Sequence, residues 1–451
     1  MFSSKVGTPI SHSSGPQILH PRPVHQPSTI KRATNVTPNT HHISRRPLLS
    51  RLTWALLVSS FAISQISLVH FLHAEEPAKK PAPILLFDGQ TLDGWKKVGG
   101  DATYSIENGE IVGRVGPGPN TFLRTQATYG DFELKYDVKL DTPGNSGVQF
   151  RSHQKDGTGR TFGYQCEIDP SPRQWTGGIY DESRRGWIYS LDKDEQARKA
   201  FKIDDWNTFV ITARGPHITT SVNGVRCADL IDTADLEGFI ALQVHSGKAG
   251  QIRWRNIQLT PLGQSAWKPL WNQKDLAGFR AIGGGEWKVA DGELVGTSSK
   301  EESRHGLLIT EDAFRDFAVR VEFKAITGNS GLYFRCVEAD PYGVAGFQAE
   351  IDPTKDVGGL YETNGRAWIF QPSAEQLKKA FKPGEWNEMT VVALGERIVI
   401  HLNGIKTVDF IDKGGRAAGK IALQLHGGDD MDVRFRKVEI MRLDDIACCT
   451  E

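Results

Sequence analysis

Asn145-Ser146-Gly147-Val148-Gln149-Phe150-Arg151 returns 184 residues later as Asn329-Ser330-Gly331-Leu332-Tyr333-Phe334-Arg335. Each copy turns at Asn-Ser-Gly and then alternates apolar and polar side chains, the pattern of a strand with two unlike faces. Recurrence at a fixed distance makes the chain a tandem repeat. Working outward, Leu86 to Trp95 matches Leu270 to Phe279, and Asn108 to Gly113 matches Asp291 to Gly296. Glu167-Ile168-Asp169-Pro170 matches Glu350-Ile351-Asp352-Pro353, and Gly177-Gly178-Ile179-Tyr180 matches Gly358-Gly359-Leu360-Tyr361. Trp206-Asn207, Asn223-Gly224 and Ile240 to His245 pair with Trp386-Asn387, Asn403-Gly404 and Ile421 to His426. The repeats span residues 84–260 and 268–443, with a seam punctuated by Pro261, Gly263 and Pro269 and a tail at 444–451.

Both repeats read as β. Phe132 to Leu140 alternates, and Phe209 to Val222 runs β-branched into Asn223-Gly224, a two-residue hairpin signal repeated by Met389 to Leu402 before Asn403-Gly404. Only Asp194 to Phe201 and Ser373 to Phe381 read as helix. The fold class is all-β: two tandem lectin-like jelly-roll sandwiches, each with one short helix.

The 451 residues carry 54 Lys and Arg against 54 Asp and Glu, but seven of the basic side chains lie before Glu75, where no acid occurs. The remainder is mildly acidic, which argues against nucleic acid as a partner. Five cysteines without a C-x-x-C pair make neither a disulfide framework nor a thiolate metal site, and Cys166 and Cys336 read as core. Residues 1–44, rich in Ser, Pro, Thr and His, read as a disordered leader. Residues 45–74 combine a basic cluster, an apolar run and Ala74, which reads as an export signal cut after Ala74, or else a membrane anchor. Ser44-Arg45-Arg46-Pro47-Leu48-Leu49 resembles a twin-arginine motif. The expected location is periplasmic or extracellular, with transient membrane contact through the leader.

Sorting the strands by parity separates a core face from a polar one. Gln149 and Arg151 oppose Val148 and Phe150; Gln165, Glu167 and Asp169 oppose Tyr164, Cys166 and Ile168; Gln243 and His245 oppose Leu242 and Val244. The second copy presents Tyr333, Arg335, Gln348, Glu350, Asp352, Gln424 and His426 in the same way. Such a face is ordinarily solvated, but these positions hold no lysine and, set in β-branched and aromatic runs, suit fixed hydrogen bonding to a polyhydroxyl ligand. Asn145 and Asn329 adjoin this face. Trp187 and Trp368 read as sugar platforms or, beside Ile, as core; Tyr180 and Tyr361, after Gly-Gly, read as loop residues lining a cleft.

The ordered set Leu-Phe-Asp-Gly, Asn-Ser-Gly, Glu-Ile-Asp, Gly-Gly-Ile-Tyr, Trp-Asn, Asn-Gly and Ile-Ala-Leu-Gln-Val-His resembles the 3-keto-disaccharide hydrolase family, twice over. The resemblance implies a concanavalin-like jelly roll in an exported bacterial protein that cleaves 3-keto-glycosides by elimination and rehydration. The second copy departs in Leu270-Trp271-Asn272 for Phe-Asp-Gly, in Tyr333 for Gln149 and in a shorter loop after Asp352. Direct hydrolysis would need a second carboxylate. The laminarinase-type strand that Glu-Ile-Asp also resembles supplies it two or three residues beyond the Asp, where this chain has Ser171 and Pro172, or Thr354 and Lys355. Elimination instead needs a base at C2, an enolate stabiliser and an acid for the leaving group. The expectation is His245 or His426 as base, Arg151 or Arg335 as stabiliser, and Glu167 or Glu350 as acid or orienter, with Asp169 and Asp352 beside them and base and acid interchangeable. No cofactor is called for; a divalent metal held by Glu, Asp and His is an alternative, as is a non-catalytic pair of lectin-like modules. Each repeat holds a complete set, so two separate sites are expected.

Overall fold

The computed structural model describes residues 81–341 and 343–444; the expected leader, export signal and terminal tail fall outside them, apart from Asp444. Among the described residues no helix is long and apolar enough to cross a membrane.

Each repeat folds as a sandwich of two antiparallel sheets, and the strand order is the same in both. In the first, one sheet runs 225–231, 217–222, 207–214, 131–142, 251–263, 110–114, 103–107, with Ile84–Leu85 beside the strand 251–263. The facing sheet runs 186–189, 179–182, 161–168, 146–154, 239–244, 121–125, 95–99. Alternation fills the space between them: Phe132, Leu134, Tyr136 and Val138 from one sheet meet Val148, Phe150, Tyr164, Cys166 and Ile168 from the other, all essentially inaccessible. The second core is built likewise from Val319, Val321 and Phe323 against Leu332, Phe334, Phe347 and Ile351.

Several of the recurring motifs are fold devices. Asp88 accepts backbone N–H bonds from Gln90 and Thr91 at 2.7 and 2.9 Å. Asn272 makes the equivalent turn with Lys274 and Asp275 at 2.9 and 3.1 Å, so the departure at the start of the second copy preserves the geometry. Asn207 and Asn387 tie the post-helical loops to their strands, and Asn223 and Asn403, both at positive φ, form the two-residue turns. The expected single run Phe209 to Val222 is two strands, Asn207–Arg214 and His217–Val222, broken at Gly215-Pro216; Met389 to Leu402 is broken at Gly395-Glu396. The helices are short, Glu195–Arg198 and Ala374–Ala380, capped by Asp194 and Ser373.

The large sheet of the second sandwich carries an apolar outer face, where Ala318, Val392, Leu394, Val399, Met441 and Leu443 pack around Ile231 and Leu236 of the first and Trp267 of the seam. Arg397 donates to Asp229 across this contact at 2.7 Å.

Arg151 and Arg335 depart from the parity expectation. Both sit in bulges with φ of +45° and +46°, where the pairing to the neighbouring strands slips. The bulge turns the guanidinium away from the polar face. Arg151 donates to the carbonyls of Gly130 and Gly215 at 2.9 and 2.6 Å and to Asp131 at 2.7 Å, fully buried. Arg335 does the same with Arg315, Gly395 and Asp316. They are staples between loops at one end of each sandwich, and neither lies with Glu167 and His245 or with Glu350 and His426.

Candidate functional site

Each sandwich has a cleft on its smaller sheet that is lined entirely by its own residues and holds polar side chains picked out by parity. The first encloses about 350 Å³ between Asn145, Gln165, Glu167, Tyr180, Trp187, Gln243 and His245. The second, about 520 Å³, takes in Asn329, Tyr333, Gln348, Glu350, Asp352, Tyr361, Trp368, Gln424 and His426. Gly147 lies between Gln243 and Glu167 in the strand register, and a Cβ there would come within 2.5 Å of the Gln165 carboxamide. The glycine of Asn-Ser-Gly thus makes room for the cleft floor, and Gly331 stands in the same relation to Gln348.

A directed chain of hydrogen bonds ends on Glu167. Ser152 donates to Gln149 at 2.8 Å, Gln149 to Gln165 at 2.6 Å and Gln165 to Glu167 at 2.8 Å, while Asn145 donates to the other carboxylate oxygen at 2.5 Å. Gln149 therefore acts beneath the cleft surface through Gln165. In the second copy Gln348 and Asn329 donate to Glu350 at 3.1 and 2.5 Å. Burial pushes both carboxyls up, to about 7, against the pull of these amide donors. A carboxyl at that value exchanges a proton near neutrality, as acid or base.

His245 holds its Nδ1 2.7 Å from the carbonyl of Ser246. A carbonyl only accepts, so Nδ1 carries the proton and Nε2 is the basic nitrogen. His426 instead lies 3.1 Å from the Asp429 carboxylate, out of line for a hydrogen bond, with the His305 ring edge-on at 4.5 Å. His305 accepts from the Gly427 N–H at 3.0 Å, as Asn120 accepts from Ser246 in the first cleft. Position 429 matches Lys248, so the residue three after the histidine changes charge between the copies.

Asp169 lies outside the first cleft's lining. Its carboxylate accepts from the Ser171 N–H at 3.1 Å and from Arg173 at 2.8 Å, and so positions the loop that brings Arg173 to the cleft. Asp352 holds Thr354 and does line its cleft, next to Lys355. Arg173 and Lys355 are the cations of the two clefts. Sequence reasoning passed over them, along with Asn120 and His305, because loop residues have no parity to betray them, and it passed over Glu182 at the end of the short strand Ile179–Glu182. A basic residue three or four positions after each Glu-Ile-Asp was the available signal.

Trp187 and Trp368 are not core. Trp187 is half-buried, edge-on to Trp175 at 4.8 Å and to Tyr180 at 5.4 Å, with the Arg173 guanidinium 4.8 Å over its ring. Trp368 is 38% exposed beside Tyr361. Both tyrosines stand on strands, Ile179–Glu182 and Leu360–Thr363, rather than on loops. The preceding Gly-Gly lets each strand close on the glutamate: Gly177 donates to the Glu167 carbonyl, and a Cβ on it would meet Cys227 at 2.7 Å. Among the described residues no group of three or more His, Cys, Asp and Glu side chains is arranged to hold a metal ion.

The family model of the 3-keto-alpha-glucoside-1,2-lyase-like domain matches residues 82–260 and again 266–441. No curated protein matches the chain. Among solved structures, a candidate glycosyl hydrolase from Parabacteroides distasonis is 18% identical, over 40% of this chain and 94% of its own, with a TM-score of 0.31. A carbohydrate-binding module of Bacillus subtilis is 20% identical, over 36% and 93%, at 0.29. A B. subtilis protein of unknown function with a galectin-like fold is 16% identical, over 40% and 96%, at 0.30.

Proposed function

We propose that this chain, which belongs to the 3-keto-alpha-glucoside-1,2-lyase-like domain family through both of its sandwiches, cleaves 3-keto-glycosides by elimination and rehydration. The observation that carries the reading is the buried carboxyl on each cleft floor, with its pKa raised to about 7 beneath an aromatic wall. The ketone at C3 acidifies the C2 hydrogen. A base takes that proton, the electron pair becomes the C1=C2 bond, and the C1–O bond breaks as the departing alcohol receives a proton. Water then adds across the double bond, hydroxyl to C1 and proton to C2.

Glu167 and His245 are the two proton carriers of the first cleft, Glu350 and His426 those of the second. The stabilising cation at the enolate is Arg173 or Lys355, since Arg151 and Arg335 are committed elsewhere. The indole of Trp187 or Trp368 offers a face to the sugar ring. Export to the periplasm or beyond belongs to the same proposal and suits a glycoside substrate met outside the cell.

The test is incubation with a 3-keto-glucoside in deuterium oxide. Elimination puts deuterium at C2 of the product beyond a protein-free control; an unlabelled product means direct hydrolysis, and binding without turnover means a lectin-like pair. His245→Ala, His426→Ala and the double variant apportion activity: additive losses mean two working clefts, and loss of everything with either one means a shared reaction.

A further inference from the structure

The two clefts differ at the position held by Gln149 beneath the first and by Tyr333 in the lining of the second. In the first, Gln149 is drawn into the chain toward Glu167, and neither side-chain polar atom of Gln243 has a partner among the described residues. Gln243 is fully buried and yet lines the cleft. A carboxamide left with both its donor and its acceptor unmatched is costly in a protein interior. In the second cleft the matching Gln424 is satisfied at both ends. Its oxygen accepts from Gln348 at 3.2 Å, and its nitrogen donates to the Tyr333 hydroxyl at 3.2 Å, which is itself 2.9 Å from the Thr363 hydroxyl. Tyr333 stands where the first copy has Gln149.

Resting on the reading of both clefts as sugar sites, we infer that the residue at positions 149 and 333 sets which sugar each cleft accepts. The first cleft selects a ligand hydroxyl that donates to the Gln243 oxygen and accepts from its nitrogen. In the second, the phenol of Tyr333 supplies an internal hydroxyl to Gln424, and the ligand's own hydroxyl at that place has no partner. The clefts are therefore two specificities on one chain rather than a duplicated site. A site built to hydrogen-bond a hydroxyl discriminates strongly against the analogue lacking it, because the buried polar group is left unpaired.

The experiment is calorimetric titration of the full chain with methyl α-glucoside and its 2-deoxy, 4-deoxy and 6-deoxy analogues. These probes carry no ketone and cannot be eliminated, so binding is read apart from turnover. The expected result is two sites for the parent, and for one deoxy analogue an affinity lowered about tenfold or more at one site only. Gln149→Tyr should abolish that discrimination, and Tyr333→Phe, which removes a single oxygen, should create it at the other site. Melting curves identify any variant that fails to fold, and Tyr333→Phe carries the test if Gln149→Tyr does. Two sites that rank the four probes alike, with the ranking unmoved by either substitution, overturn the inference while leaving the proposed reaction standing. No binding of any probe also overturns the inference, and the deuterium experiment on a 3-keto-glucoside then decides the proposed reaction separately.

Discussion

Replacing Glu167 by Gln should change the sign of its effect on stability between pH 8 and pH 5. The carboxyl has a folded pKa of about 7 against 4.5 for the free side chain. A carboxyl raised in this way binds more protons folded than unfolded between those values. Its contribution to stability is therefore complete below pH 4.5 and is lost as pH rises through 7. About 2.5 units correspond to roughly 3 kcal/mol of cost for holding the anion at pH 8. Gln removes that cost. In exchange, if its oxygen takes the Asn145 bond, its amide nitrogen meets the amide nitrogen of Gln165, a conflict of two donors costing about 1–2 kcal/mol. The net expectation is a variant about 1–2 kcal/mol more stable than the parent at pH 8. At pH 5 under about 1 kcal/mol of charge cost remains to be relieved, so the variant is equal or weaker. Urea unfolding of parent and variant at both pH values reads this directly. The same substitution should lower first-cleft turnover by about 10²- to 10⁴-fold. A stability difference of the same size and sign at both pH values would refute the buried-acid argument.

Arg151→Met should destabilise the chain by about 3–5 kcal/mol by leaving Asp131 buried without its cation, and should leave turnover per folded molecule intact; a stable but inactive variant would return Arg151 to the site. Trp187→Ala should raise KM for a 3-keto-glucoside about tenfold in an Glu350→Gln background, with a smaller change in kcat; unchanged KM would remove the stacking role. N-terminal sequencing of exported protein should begin near Glu75, and any residue before Ser50 would exclude the expected cleavage.

The repeat and its alternating faces were legible because periodicity two is a property of extended backbone. Gln165 and Glu167 went to the cleft, and Tyr164, Cys166 and Ile168 to the core, on parity alone. The same rule failed at Arg151 because a single residue at positive φ resets the alternation, and nothing in Phe-Arg-Ser-His marks that bulge. The break at Gly215-Pro216 was signalled and overlooked in favour of the β-branched run around it. Trp187 was opaque for another reason: its burial depends on Tyr180, which reaches it through strand pairing, and on Trp175 in the loop before that strand, neither of which its own neighbours in sequence reveal.

The contact between the sandwiches joins unlike surfaces, the end of the first unit's edge strand at Ile231 against the second unit's sheet face at Val392 and Val399. A head-to-tail joint of this kind has no internal symmetry, and repeated identically it would grow a filament. The second unit still carries the projecting half, since Ile411, the match of Ile231, is 59% exposed. The receiving half is missing from the first unit, where Thr212, Arg214 and Thr219 stand at the matches of Val392, Leu394 and Val399. The outer face of the first unit is thus polar at three positions where the second unit's is apolar, and it lacks the surface on which Ile231 packs.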